Sequence, residues 1–189
     1  MPNKSFIKDL NVKYSIVFRD IKYPRLELKT GNLIIIVPRG YKNPEKLIEE
    51  HEEWIQKKIK VINESKERSK GKKLNYERSE EDLRKMIHEN VDRYSIKLNV
   101  EPNRIILRNM KSKWGSCSSK KNLNFNKLLK FLPWELIEYV IFHEMTHMVE
   151  NKHNKNFWRI ISTRFNDYKQ KENDLMDYWF LIQSELMLD

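Results

Sequence analysis

Cysteine is almost absent, with Cys117 the only one in 189 residues. That excludes an internal disulfide framework and a cysteine-built zinc knuckle, so any metal would have to be held by histidine and carboxylate. Long apolar runs are missing too. None approaches the roughly 20 residues a bilayer-spanning helix needs, and the opening MPNKSFIKDLNVKYS lacks the apolar core of roughly 7–15 residues that a secretory signal carries. The expectation is a cytoplasmic protein with no membrane partner. Glycine and proline are sparse, at 4 and 6 residues, and there is no internal repeat or low-complexity tract. Hydrophobic residues at 39% and charged residues at 34% fit one globular domain, with room for a smaller lobe attached.

What the chain has in excess is positive charge, +10 in all. Residues 1–75 carry 18 Lys and Arg against 10 Asp and Glu, whereas residues 76–189 carry 19 against 17. Within the second part, EPNRIILRNMKSKWGSCSSKKNLNFNKLLK holds eight basic residues and one acidic. Such a segment suits an anionic partner, although lysine-rich solvated faces produce the same pattern.

The pattern of apolar positions predicts an α+β fold. KYSIVFRD and PRLELKT alternate apolar and polar residues, and LIIIVP is a short β-branched run, together read as an antiparallel β meander. Asn43-Pro44 opens a helix carrying Leu47, Ile48, Trp54, Ile55, Ile59 and Ile62 at helical spacing. The polar stretch 63–78 reads as a linker, which divides the chain into an N-terminal meander-plus-helix subdomain, 1–75, and a second domain, 76–189. A helix starts after Ser79. NRIILRN and NLNFNKLL read as strands, with KSKWGSCSSKK between or partly within them. Helices follow in PWELIEYVIFHEMTHMVE, NFWRIISTRF and NDLMDYWFLIQSEL.

The stretch HEMTHMVENKH gathers three of the five histidines. On a helix His143 and His147 project from one face, a turn apart, where both can reach one ion. In H-E-x-x-H the imidazoles hold zinc, and the glutamate, here Glu144, acts as general base on the zinc-bound water. Zinc needs a third ligand. His153 meets that need if the chain turns near Glu150-Asn151, with Asn151 as a left-handed hinge; Glu150, or Glu172 or Asp174 on a later helix, are its rivals. A structural ion closed by four protein ligands fits less well, because Glu144 occupies the base position.

RIILRNMKSKWGSCSSKKNLNFNKLLKFLPWELIEYVIFHEMTHMVENKHNKNFW, Arg104 to Trp158, resembles the core of the YgjP-like metallopeptidase family, which is related in layout to the SprT-like zinc proteases. RLELKTGNLIIIVPRG followed by a helix with WIQKK is similar to that family's front portion. The combination of W-G-S-C, H-E-x-x-H and H-x-x-x-F-W is the specific part. The resemblance implies a zincin-like catalytic domain, a small sheet packed on the H-E-x-x-H helix. It also implies one zinc per chain on His143, His147 and His153, with Glu144 as base. The spacing from His143 to His153 equals that of the metzincin pattern, but Glu150 stands where that pattern has glycine.

Within the resemblance, Trp114, Gly115, Ser116 and Cys117 match W-G-S-C. They are expected either as a strand edge that pairs with an extended peptide or, for Trp114 and Cys117, as core. Arg108, Lys111 and Lys113 are candidate anion ligands or a solvated face. Asn126 is placed to orient a ligand histidine or a substrate carbonyl, or to close a strand end. Phe157 and Trp158 are expected to pack on the motif helix and fix His153. The leading function is a zinc metallopeptidase acting on peptide or protein. The alternatives are a metal-dependent nucleotide or phosphoanhydride hydrolase and a DNA-associated, SprT-like protease that meets nucleic acid through its basic surface. No helix-turn-helix, zinc finger or RNP-type motif accompanies the last of these.

Overall fold

The β-branched run LIIIVP forms an inner strand of the first sheet. The computed structural model describes residues 4–7, 12–28 and 31–186, and the chain forms two units, Met1–Glu67 and Arg68–Asp189. The first unit has strands β1 (Lys4–Ile7), β2 (Val12–Arg19), β3 (Arg25–Leu28) and β4 (Leu33–Pro38), in the order β1-β2-β4-β3. β1 and β3 pair antiparallel with β2 and β4, but β2 and β4 run parallel, with Tyr14 opposite Leu33 and Phe18 opposite Val37.

This corrects the antiparallel meander, because β2 and β3, successive in sequence, are not neighbours. Burial supplies the reason. Leu33, Ile35, Ile36 and Val37 are all buried, so β4 is apolar on both faces and gains most from a strand on either side. The short β3 takes the edge, where charge is tolerated and Arg25 lies 3.4 Å from Glu27. The last residues of the expected strand PRLELKT, Lys29 and Thr30, lie outside the described residues.

The single helix expected after Asn43-Pro44 is two, α1 (Lys46–Glu50) and α2 (Glu52–Ser69). Asn43 takes left-handed backbone with φ 52°, a conformation asparagine tolerates, and the helix starts only beyond Pro44. The expected linker is helical through Ser69, because Ser65 and Ser69, three and seven residues after Ile62, extend its buried stripe with small side chains. In the second unit Arg68 and Lys72 pair with Asp177 at 3.0 and 3.7 Å, and Lys72 reaches Asp174 at 2.7 Å. The end of the supposed linker is therefore docked by charge.

The second unit contains α3 (Glu80–Leu98), β5 (Arg104–Arg108), β6 (Gly115–Cys117), β7 (Asn122–Asn126), a 3-10 turn (Lys127–Phe131), α4 (Trp134–Thr146), α5 (Lys155–Ser162) and α6 (Tyr168–Glu185). Ser79 and Asp82 form a reciprocal capping box at the start of α3, and left-handed Asn99 ends it. The sheet order is β5-β7-β6, with β5 parallel and β6 antiparallel to β7. Every residue from Leu136 to Phe142 is buried, as expected of a helix walled in on all sides; α3, α5, α6, β6 and β7 pack around α4.

Glu138 is the charged exception, and it is paired. It accepts from Tyr94 Oη at 2.5 Å and Arg164 Nη2 at 3.0 Å, about 140° around the helix from His143. The expected α+β class therefore holds. No helix among the described residues is long and apolar enough to cross a membrane.

Candidate metal centre

Helix α4 carries His143 and Glu144 in its last turn, and His147 is its C-cap. The His143 and His147 rings lie 5.1 Å apart, as residues one turn apart should. The helix expected to reach Glu150 stops at Thr146. The N–H groups of Met148, Val149 and Glu150 then bond back to the carbonyls of Met145, Thr146 and Thr146 at 3.0, 3.0 and 2.9 Å. These bonds turn the chain without a left-handed hinge at Asn151; among the described non-glycine residues, positive φ falls on Asn43, Asn99 and Lys121.

Asn154 caps α5, accepting from the N–H groups of Asn156 and Phe157 at 2.9 and 3.0 Å. The preceding residue, His153, is thereby carried back over α4, and its Nε2 stands 3.0 Å from Nε2 of His143. Aromatic packing holds it there. The His153 ring stacks on Trp158 at 5.6 Å, and Trp158 on Tyr168 at 4.9 Å. The Trp158 indole N–H also donates to the His153 carbonyl at 3.2 Å. Phe157, fully buried, lies 4.6 Å from both the His147 and His153 rings.

One ligand atom from each of the three histidines falls within 4.8 Å of the others. Nitrogens sharing a tetrahedral zinc stand about 3.3 Å apart, given bonds of about 2.05 Å, so the set fits a single ion. Protonation fits as well. Burial, reinforced by His147 and His153, pushes His143 down to about 3, and burial lowers His147; coordination needs neutral imidazoles. His147 Nδ1 faces the Glu150 carbonyl at 3.2 Å, an arrangement that reserves Nε2 when Nδ1 carries the proton.

The rival ligands are engaged elsewhere. Glu150 accepts from the Lys152 N–H, and bonds from Asn154 and Lys152 hold its carboxyl below the usual range. Asp174 pairs with Lys72. Glu172 Oε1 lies 3.6 Å from His143 Nδ1, the nitrogen turned away from His153, and accepts from Tyr139 Oη at 2.5 Å.

Glu144 is buried, and burial raises its carboxyl to about 7, against the opposing effects of the Lys113 charge and a bond from the Cys117 N–H. It is held against β6 so closely that a Cβ on Gly115 would stand 2.6 Å from its Cγ and 2.9 Å from its Oε1. β6 is an edge strand. Bonds from Asn126 N–H to the Trp114 carbonyl and from Ser118 N–H to the Asn122 carbonyl bracket its ladder. Antiparallel alternation then pairs Ser116 with β7 and turns the backbone groups of Gly115 and Cys117 outward. One of these outward groups is the Cys117 N–H that reaches Glu144. A cleft of about 310 Å³ is lined by Gly115, Ser116 and Cys117 together with His143, Glu144, His147 and His153, and by Lys113 and Asn151.

The remaining sequence candidates are dispersed. Arg108 is exposed at the end of β5. Lys111 lines a separate cavity of about 380 Å³ with Met110 and Trp179. Trp114 packs edge-on against Trp179 at 5.0 Å and donates its indole N–H to the Leu175 carbonyl at 3.3 Å. Asn126, fully buried, donates to the carbonyls of Met110 and Lys113, each at 2.8 Å, and accepts from the Leu128 N–H at 3.2 Å. It thus fixes the loop from which Lys113 reaches the cleft.

Two contributions were not foreseen from the sequence, the contact of Gly115 with Glu144 and the part played by Tyr139. Gly115 was expected as part of a strand edge but not as a contact of Glu144, though a glycine inside a strand marks a close approach and the chain has just four. Tyr139 lies four residues before His143, the same spacing that picks out His147.

Three converging imidazoles suit an ion, and an ion beside a buried carboxylate and an open strand edge is the equipment of peptide-bond hydrolysis. The class is that of the metal-dependent peptidases. A YgjP-like metallopeptidase domain is matched over residues 64–178, more than half of the chain, and the protein belongs to the YgjP-like metallopeptidase family. Family membership carries with it a catalytic metal. Among solved structures the chain is similar to the metallopeptidase zymogen of Methanocaldococcus jannaschii jannalysin, with 31% identity over 51% of this chain and 97% of that one and a TM-score of 0.44. It is also similar to the zymogen of Pyrococcus abyssi abylysin, with 19% identity over 48% and 91% and a TM-score of 0.44. No curated protein matches the chain.

Proposed function

We propose that the protein is a zinc peptidase in which His143, His147 and His153 hold the ion and Glu144 is the general base. The observation that carries this reading is the position of Glu144, a buried carboxylate that lines the same cleft as the three imidazoles and is held against an edge strand. Zinc, when bound, supplies Lewis acidity toward water and the scissile carbonyl. Glu144 takes the proton of the attacking water and returns it to the leaving amine. The Cys117 N–H orients the Glu144 carboxylate, and the outward backbone groups of Gly115 pair with an extended substrate chain. Zinc, over other imidazole-seeking ions, rests on the H-E-x-x-H precedent.

A peptide or protein substrate is favoured over a nucleotide. Of the three basic residues put forward as anion ligands, Lys113 alone lines this cleft, too little charge to cradle a triphosphate. The decisive variants are Glu144→Gln and His147→Ala, assayed for metal content and peptide hydrolysis. The first is expected to keep about one metal per chain and lose turnover; the second should lose both. Wild-type turnover in Glu144→Gln refutes the role given to Glu144.

A further inference from the structure

We infer that Glu172 and Tyr139 are a positioning pair for His143: Glu172 fixes the imidazole from its Nδ1 side, Tyr139 fixes Glu172, and together they set how tightly the site holds its ion. The inference rests on the histidine reading above.

The two nitrogens of an imidazole point to opposite sides of the ring. Nε2 of His143 faces His153 at 3.0 Å, and Nδ1 faces Glu172 Oε1 at 3.6 Å. A carboxylate on the Nδ1 side is badly placed to share an ion bound at Nε2, but it faces the Nδ1 proton and accepts it once the 3.6 Å contact closes to hydrogen-bond distance. Doing so selects the tautomer that leaves the Nε2 lone pair free and raises its basicity. His147, by contrast, has a neutral partner at Nδ1, the Glu150 carbonyl.

Glu172 lies on α6 and its side chain is partly exposed, so left to itself it would exchange His143 for water. Tyr139 prevents that. Its hydroxyl donates to the same Oε1 at 2.5 Å. Its ring is fully buried, edge-on to His143 at 5.9 Å and to Phe165 at 5.4 Å. A phenol facing a carboxylate can only be the donor of the pair. One carboxylate oxygen thus has two neighbours on α4, spaced by a single helical turn, and it ties α6 to the helix that presents His143.

The test is a chelator competition for Zn²⁺ on the full chain, comparing wild type, Glu172→Ala, Glu172→Gln, Tyr139→Phe, the Glu172→Ala/Tyr139→Phe double variant and His147→Ala. Loss of an outer carboxylate weakens metal binding by about 10–100-fold, and that is the effect expected for Glu172→Ala. Glu172→Gln, which keeps an acceptor, should fall between it and wild type. Tyr139→Phe should weaken binding severalfold, and the double variant should be no weaker than Glu172→Ala, because Tyr139 acts through Glu172. The visible spectrum of the Co²⁺-loaded proteins should keep its band positions, reporting an unchanged ligand set.

Wild-type affinity in Glu172→Ala overturns the inference and leaves the histidine reading standing. So does additive loss in the double variant, which marks Tyr139 as mere packing. A Co²⁺ spectrum changed in Glu172→Ala, with affinity as poor as that of His147→Ala, makes Glu172 a ligand and overturns it too. Wild type that binds no ion overturns the histidine reading itself.

Discussion

Adding one methyl group at Gly115 tests whether the edge strand and Glu144 form a single working part. A Cβ there would stand 2.6 Å from Glu144 Cγ, 2.9 Å from Oε1 and 3.0 Å from Cδ. Ordinary carbon contacts lie at about 3.5–4.0 Å, so about 1 Å of movement is needed. The Cγ is too near the backbone for the carboxylate tip alone to supply it. Gly115 does not occupy the left-handed region, so Gly115→Ala perturbs the contact and not the backbone preference.

Overpacking of this kind destabilises by about 1–3 kcal/mol, and a 1 Å displacement of a catalytic group lowers the rate about 100-fold. None of the three histidines is touched. The expected result is therefore kcat/KM for a peptide substrate down about 100-fold, metal affinity close to wild type and a lowered Tm. Gly71→Ala, where the nearest atom is the Arg68 carbonyl at 3.8 Å, is the neutral control. Gly115→Ala with wild-type kcat/KM and Tm would refute the claim that Glu144 is held against β6.

Two further perturbations separate charge from packing. The Glu144 carboxyl is raised to about 7 in the fold from about 4.3 in an unfolded chain. Its protonated form therefore favours folding below about pH 4, and that favourable contribution is lost as pH rises through 7, by up to about 4 kcal/mol. In metal-free protein Glu144→Gln should accordingly raise Tm at pH 8 and leave it near wild type at pH 4; a pH-independent difference counts against the burial argument. Asn126→Ala strips hydrogen bonds from the Met110 and Lys113 carbonyls. It should lower the urea midpoint by the equivalent of about 2–4 kcal/mol with an unchanged m value, and an unmoved midpoint would show that the loop has other anchors.

How much of this was readable from residues alone depends on how far apart in sequence the interacting groups lie. His143 and His147 are related by helical period, and the period is written in the chain, so their convergence was legible. His153 was legible as a need for a turn. The means was not, because the turn rests on backbone bonds at 148–150 and on the Asn154 cap instead of the asparagine at 151. Contacts between elements were hidden: Gly115 and Glu144 meet only when β6 and α4 are packed, and no local pattern announces that distance. Strand order was hidden for a related reason. Alternation tells which face of a strand is buried but not which strand lies beside it, so β4 between β2 and β3 had to be seen. The stretch 63–78 misled through chemistry, since buried Ser65 and Ser69 look polar in sequence yet fit a close-packed helix face.

The edge strand is only three residues long, a span of about 10 Å, and the Cys117 N–H on it is already given to Glu144. A substrate lying along it would find the backbone groups of Gly115, the Cys117 carbonyl and little else to grip. Recognition through so small a footprint would favour local shape over sequence: a segment would already have to be unravelled to lie in the cleft, and well-folded proteins would be spared by their own secondary structure. The selectivity of such an enzyme would thus reside largely in the conformational state of its target, with frayed ends and slack loops as its natural diet.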